Sequence, residues 1–498
     1  MTTFGRVLRR LLTVLLPVAA VLALGVVPAA QASGSTSYSG STSDGGSWVA
    51  DVPPSWNGTL ILYSHGFGPV QAADAPDATT KQALLDRGYA LAGSSEAPAT
   101  ASWWTLGSAL FEQFETIRDV RPDLPSAPRR VIAFGTSMGG LISALEDEHS
   151  DGRIDGALST CGIVAGGIQL NNYQLDGEYA MVQLLAADAP IKLVHLTSPV
   201  DGLGTGKALD ALAQSNQQSP AGRARLALAM AFMNVATWAP GEAMPGRHDY
   251  DTQEQEQYDV QFSAPPGALT AMDFVMFARY YLESAAGGNS AWTAGVDFRR
   301  LFDRSPYAPE VRALYREAGL NVDADLATLT ANANIHADEN AVHWLERTSV
   351  PRGDLQVPEL DMHTISDQLV PVQQENYYRH TVERAALLRQ AYVERQSHCN
   401  FTPAELVAGV LTVQHRIDSR RWGNSADASQ LNGLAQSLDL GDSAFIDYEP
   451  ARLSGDNGPF VDESWFRRHE AHRVSRHEAH RLRRHEAHGL RWTAKRLR

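Results

Sequence analysis

The sequence predicts an α/β fold with a mostly parallel central sheet, helices on both faces, and a helical cap inserted between two halves of the sheet. Three observations carry this. Short runs that are apolar throughout alternate with helical segments from residue 59 to 160 and again from 355 to 416. Strands buried on both faces read as continuous apolar runs, and strand–helix alternation at short spacing indicates a parallel sheet covered on both sides. One of these runs leads directly into Gly135-Thr-Ser-Met-Gly-Gly140 and then a helix. Between the two alternating regions, residues 201–345 hold no convincing strand.

The chain has 498 residues, 44% hydrophobic and 20% charged, which is enough for a full core and is not the composition of a disordered polymer. Residues 1–32 stand apart. Arg6, Arg9 and Arg10 precede an apolar stretch at 11–27, and Ala30-Gln31-Ala32 offers small residues for cleavage, so the segment reads as a signal peptide cut after Ala32. A membrane anchor is the rival reading, because the stretch is near the lower limit of a span. The Arg9-Arg10 pair leaves general and twin-arginine export both open. No later stretch is apolar enough to cross a bilayer. The net charge of −15 is the balance of +3 in residues 1–32, +8 in residues 464–498 and −26 in the body between them. An acidic body repels phosphate backbones, which argues against a nucleic-acid partner.

Taken in order, a Ser/Gly-rich lead at 33–47 reads as a mobile segment or a short edge hairpin. Residues 59–63 form a buried strand that ends in the turn Ser64-His65-Gly66-Phe67-Gly68. A helix at 81–87 stops at Gly88, a strand follows at 89–93, and a helix spans 103–120. The strand 130–134 precedes the glycine-rich turn, a helix runs on to about 148, and a strand covers 154–159. Within the cap, 221–238 and 269–284 are helical. The sheet resumes with a strand at 355–363, a helix at 372–384, a strand at 387–393 and a helix at 402–416. The expected division is therefore a core at 33–200 and 346–453, a cap at 201–345, and a basic tail at 454–498. In that tail Arg468-His-Glu-Ala-His472 recurs twice at a spacing of eight residues. The spacing is not that of a zinc protease, and the tail reads as a solvated low-complexity extension with no assigned metal site.

Gly135-Thr136-Ser137-Met138-Gly139 fits Gly-x-Ser-x-Gly, and the strand–turn–helix context gives the motif its weight. A serine hydroxyl needs a base in contact, and the base needs an orienting carboxylate. Behind such a turn the expected chain order is Ser, then Asp or Glu, then His, each after a strand. Asp367 follows the strand ending near His363, and His398 follows the strand at 387–393, so Ser137, Asp367 and His398 are the candidate catalytic residues. Asp361 and His363 fall inside a strand and read as packing residues, while His336 and His343 fall in the cap. A tetrahedral intermediate also needs two N–H donors. Met138, after the nucleophile, is one candidate; Phe67 in the early turn is the other, with Gly68 its near alternative, and His65 reads as structural.

The His-Gly turn at 65–68, the Gly-Thr-Ser-Met-Gly-Gly elbow, the segment Ser366-Asp-Gln-Leu-Val-Pro371 and the loop Ser397-His-Cys399 together resemble the α/β-hydrolase superfamily over residues 48–200 and 350–420. The chain is similar to secreted bacterial esterases and to the catalytic domain of prolyl-oligopeptidase-like enzymes. That resemblance implies ester or amide hydrolysis through an acyl-enzyme, with no cofactor and no metal. It also bears on Cys161 and Cys399, the only two cysteines. In this superfamily both strand ends point to one face, so a bridge between them would brace the histidine loop, as some secreted feruloyl esterases and tannases brace theirs. In those proteins one cysteine adjoins the serine, which is not so here, and two separate buried thiols are the alternative. The leading expectation is a secreted carboxylic ester hydrolase acting on a small-molecule or polymeric ester. Trp103, Trp104 and an apolar cap suit an uncharged, partly aromatic substrate. The alternatives are a peptidase or amidase with the same triad, and a non-catalytic binding protein on the same fold. No membrane partner is expected after signal cleavage, and the sequence leaves the oligomeric state open.

Overall fold

In a computed structural model, the strands β1 (Thr36–Ser41), β2 (Ser47–Val52), β3 (Thr59–Ser64), β4 (Ala90–Ser94), β5 (Arg130–Thr136), β6 (Gly156–Thr160), β7 (Glu359–Ser366), β8 (Leu388–Gln396) and β9 (Phe445–Ile446) form one sheet in the order β1-β2-β4-β3-β5-β6-β7-β8-β9. The structure describes residues 34–455, all within one compact unit. The expected signal peptide at 1–32 and the repeats of the basic tail lie outside the described residues.

The six strands from β4 to β8 run parallel, while β2 joins β4, and β9 joins β8, antiparallel. Every residue of β3, β4 and β6 is buried. Alternate residues of these strands therefore build two cores. Ile61, Leu91, Ile132, Phe134 and Leu158 face one side. Leu60, Leu62, Ala90, Ala92, Val131 and Ala133 face the other.

The helices in chain order are α1 (Ala78–Asp86), α2 (Ala109–Val120), α3 (Met138–Glu148), α4 (Gly167–Leu185), α5 (Pro199–Asn216), α6 (Pro220–Met233), α7 (Tyr250–Phe262), α8 (Ala271–Ala286), α9 (Phe298–Arg304), α10 (Ala308–Glu317), α11 (Val322–Asn332), α12 (Glu339–Thr348), α13 (Gln373–Thr381), α14 (Pro403–Ser419) and α15 (Ala428–Ser437). Leu84 and Leu85 of α1 and Val407 and Val410 of α14 cover the first core, and Ile117 and Val120 of α2 cover the second. Three of the helices begin the same way. Ser198, Ser219 and Thr402 each cap a helix whose first residue is proline, and Thr402 forms a reciprocal capping box with Glu405.

The helices α4 to α12 all lie between β6 and β7 in the chain. The first of them carries no expectation from sequence, for a physical reason. Asn171, Asn172, Gln174, Asp176 and Glu178 of α4 are buried along with its apolar residues, so no apolar stripe marks the helix. The strand expected at 355–363 sits a few residues later, at Glu359–Ser366, where Glu359, Asp361 and His363 are as buried as Leu360 and Met362. Among the described residues no helix is long and apolar enough to cross a membrane.

Candidate active site

Ser137 joins β5 to α3 in a backbone conformation that side chains rarely adopt, φ 60° and ψ −119°. The surrounding glycines make that turn possible by close approach. A Cβ on Gly135 would run into the Gly139 carbonyl, and one on Gly139 would run into the backbone of Ser64. The Ser137 N–H donates to the Thr160 carbonyl at 2.9 Å, which ties the turn to β6. Such strain persists only where the surroundings over-determine it. Here it projects the hydroxyl away from the helix, beside the free N–H groups at the start of α3.

The loops after β7 and β8 bring two more side chains to this point. His398 Nε2 lies 2.8 Å from Ser137 Oγ, and His398 Nδ1 lies 2.6 Å from Asp367 Oδ2. Asp367 is fully buried, and its other oxygen accepts the backbone N–H groups of Leu369 and Val370 at 2.9 Å each. Burial pushes the Asp367 carboxyl up, but the charges and hydrogen bonds of His398 and His363 outweigh it and hold the group well below the usual carboxylate range. An ionised carboxylate can only accept. The Nδ1 proton is therefore held by Asp367, and the Nε2 lone pair faces the serine hydroxyl. In that arrangement Nε2 can take the hydroxyl proton as Oγ attacks.

The His398 loop is fixed from three sides. Gln368 Oε1 accepts the His398 N–H at 2.9 Å, and the Ser397 N–H donates to the Ser366 carbonyl at 2.8 Å. A disulfide joins Cys399 to Cys161, 238 residues away in the chain, with the two Cα atoms 5.3 Å apart. Cys161 closes β6 with its N–H on the Met362 carbonyl at 2.7 Å, so the bridge links the histidine loop to the sheet.

Beneath Asp367 lies a second histidine that sequence reading set aside as packing. His363 is fully buried, with Nε2 2.8 Å from the Val370 carbonyl and 3.6 Å from Asp367 Oδ2, and Nδ1 2.8 Å from Glu375 Oε1. A carbonyl can only accept, so Nε2 carries a proton. Burial pulls the His363 pKa down, but Asp367 and Glu375 outweigh it and push it up to about 10. The site thus rests on a buried histidine whose protonated form is favoured by contact with Asp367 and Glu375. A histidine held protonated above its free value of about 6.5 adds stability that is complete below that value and is lost as pH rises through the folded one. Wild-type stability to urea is expected to fall between about pH 6.5 and about 10. His363→Gln should be less stable at neutral pH by about 3 kcal/mol and should lose most of that slope. Comparing the two proteins separates His363 from the nearby buried Asp361 and Glu359, whose carboxyls burial also raises. An unchanged slope in the variant would exclude His363 as its source.

The turn at residues 65–68 packs against Ser137, since a Cβ on Gly66 would lie 3.2 Å from Ser137 Cβ. Glu96, a buried residue at φ 64° that carries no sequence motif, holds this turn. Its carboxylate accepts the His65 N–H at 2.7 Å and the Thr105 hydroxyl at 2.8 Å. His65 turns its Nδ1 onto the Gly66 carbonyl at 2.8 Å, consistent with bracing the turn. Met138 opens α3, so its N–H has no acceptor within the helix. Phe67 and Ser137 line one cleft together with His398 and Trp104, and it opens to solvent. The Phe67 ring meets Trp103, Phe274 and Tyr281 edge-on at 5.7–5.9 Å, and Trp103 stacks on Tyr281 at 4.6 Å. A half-buried aromatic wall therefore flanks the serine.

No family model matches the sequence. The chain is similar to an o-phthalyl amidase of Xanthobacter agilis, 27% identical over 432 residues that cover 81% of this chain and 92% of that protein. Distant likeness extends to solved structures. Feruloyl esterase B from Aspergillus oryzae is 12% identical with a TM-score of 0.39, covering 77% of this chain and 80% of that one. Candida antarctica lipase A is 15% identical with a TM-score of 0.34, covering 81% and 86%. An acylaminoacyl peptidase of Pyrococcus horikoshii is 10% identical with a TM-score of 0.32 over 73% of this chain, which spans only 37% of that longer protein.

Proposed function

We propose that this chain, a member of the α/β-hydrolase superfamily, is a serine hydrolase that transfers the acyl group of carboxylic esters to water through Ser137. The observation that carries the reading is the series of hydrogen bonds from Ser137 Oγ through His398 to Asp367, at the mouth of a largely apolar cleft. His398 Nε2 takes the hydroxyl proton while Oγ bonds to the acyl carbon. The N–H groups of Met138 and Phe67 receive the oxyanion. His398 then returns the proton to the leaving oxygen or nitrogen, and the same base activates the water that frees the acid. Amide cleavage is the second reading, favoured by the similarity to an o-phthalyl amidase over nearly all of that protein's length. An exported location belongs to the same proposal. The leader-like pattern of residues 6–32 and the Cys161–Cys399 bridge support it, since disulfides persist in oxidising compartments.

The test pairs labelling with turnover. A fluorophosphonate should modify Ser137 alone, as read by peptide mass spectrometry. Under the leading reading, a 4-nitrophenyl ester should be hydrolysed faster than the matching anilide. A faster anilide would favour the amidase reading. Absence of both labelling and turnover would leave a binding protein on a hydrolase fold.

A further inference from the structure

The cleft does not end at the serine. Helix α4 lends it Leu170, Asn171 and Gln174, and helix α8 lends it Val275, Arg279 and Leu282. On α4 the residues 170, 171 and 174 share a face, and Glu178 continues it one turn further on. Arg279 is only 2% exposed. Its guanidinium grips the fully buried Glu178, with Nη1 at 2.6 Å and Nη2 at 2.9 Å from the two carboxylate oxygens, and Nη1 also donates to the Leu193 carbonyl at 3.1 Å. The pair is charge-balanced, but the Arg279 Nε–H is buried without an acceptor. Gln174 makes no side-chain hydrogen bond among the described residues, although it is nine-tenths buried. Buried polar groups in native proteins are nearly always paired. The Arg279 Nε–H is such an unpaired group, and the Gln174 amide, which hydrogen-bonds to no other side chain in the same lining, is a second donor that a substrate can meet.

Apart from Asn171, whose amide donates to Ser290, and from Ser137 and His398, the remaining lining is apolar, and Phe67 and Phe274 meet edge to face within it. The acyl group stays bonded to the serine while the leaving group must depart to solvent, so the inner end of the cleft suits the acyl half. Resting on the serine-hydrolase reading above, we infer that this end is an acyl-recognition subsite for an aromatic acid whose ring carries a hydrogen-bond acceptor, a carboxylate or a carboxamide. The Arg279 Nε–H and the Gln174 amide are its donors, and the apolar walls hold the ring. Because Glu178 already balances Arg279, the acceptor need not be charged, and the two forms can be compared directly.

The probes are the 4-nitrophenyl esters of benzoic acid and of its carboxyl- and carboxamide-substituted forms at ring positions 2 and 3, each corrected for spontaneous hydrolysis. For the wild type, kcat/KM for at least one acceptor-bearing ester should exceed that for the benzoate by about 10–100-fold, the range expected when a buried donor gains its partner. Gln174→Met and Arg279→Lys should each bring that ratio toward one. The lysine keeps a cation for Glu178 but lacks the guanidinium fork. A thermal melt shows whether each variant is folded, and the wild-type ratios decide the question without either. A wild-type ratio near one at every position overturns the subsite, as does a ratio that neither folded variant changes. Fluorophosphonate labelling of Ser137 and turnover of 4-nitrophenyl acetate keep the two readings apart. If both occur and the ratio is one, the subsite falls alone; if neither occurs, the hydrolase reading falls and takes the subsite with it.

Discussion

Ser137→Ala is expected to lower the turnover of an aryl ester by about 10⁴–10⁶-fold, because removing one member of a coupled triad removes nearly all of what the three supply together. Ser137 Oγ is the hydroxyl that His398 Nε2 reaches, at 2.8 Å. The loss should fall on kcat, since the cleft walls and the N–H groups that meet the substrate stay in place. Some acceleration over water should remain for the same reason. The fold should survive, because the turn is held by the glycine contacts and by the Ser137 backbone N–H on Thr160, neither of which involves the hydroxyl. Steady-state kinetics beside a thermal melt measure both. A folded variant retaining a tenth of the activity would end the assignment of Ser137 as nucleophile.

Breaking the Cys161–Cys399 bridge is expected to cost both stability and rate. It closes a loop of 238 residues, for which the chain-entropy account gives roughly 5 kcal/mol at most, less any change in the native state. The local effect concerns the histidine. Ser397 at φ 77° and Cys399 at φ 54° flank His398, and neither is a glycine. Two such residues, one on either side of His398, require an outside restraint. Without it the ring drifts from Ser137 and Asp367, and a displacement of about 1 Å can cost about 100-fold in rate. Cys161→Ala/Cys399→Ala should therefore melt at a lower temperature and turn over an ester at least tenfold more slowly. Native protein in which both thiols alkylate without reductant would show the bridge to be absent. A double variant with unchanged kcat would show that Gln368 and the Ser366 carbonyl suffice to hold the loop.

The parts legible in the sequence are those where a local rule and the tertiary structure agree. Strands β3, β4, β5 and β6 read correctly because burial on both faces leaves them apolar throughout, and the elbow read correctly because close backbone approach leaves only glycine at 135 and 139. The chain order of Ser137, Asp367 and His398 was visible because each follows a strand. The supporting layer was not. His363 looks like a polar residue in an apolar run, and only the fold shows that its partners are Asp367 and Glu375. Glu96 has no motif at all, because its role is to accept one backbone N–H from a turn 31 residues upstream. Helix α4 was hidden because its buried polar residues erase its apolar stripe. The pairing of Arg279 with Glu178 spans 101 residues and leaves no trace in local pattern.

The position of the helical insertion has a consequence for how the molecule comes into being. Strand β6 pairs with β7 through Ala157 and Glu359, so neighbours in the sheet are separated by about two hundred residues, made of the helices α4 to α12 and their connections. Closing so long a loop carries an entropic cost that rises only slowly with length, but it must be met before any contact across that boundary is gained. A nascent chain emerging to residue 350 holds β1 to β6 and Ser137 but not yet Asp367 or His398, the proposed orienting acid and base. During synthesis Ser137, the proposed nucleophile, is made more than two hundred residues before its proposed partners Asp367 and His398. The proposed triad is complete only once β7 and β8 have joined β6 in the sheet.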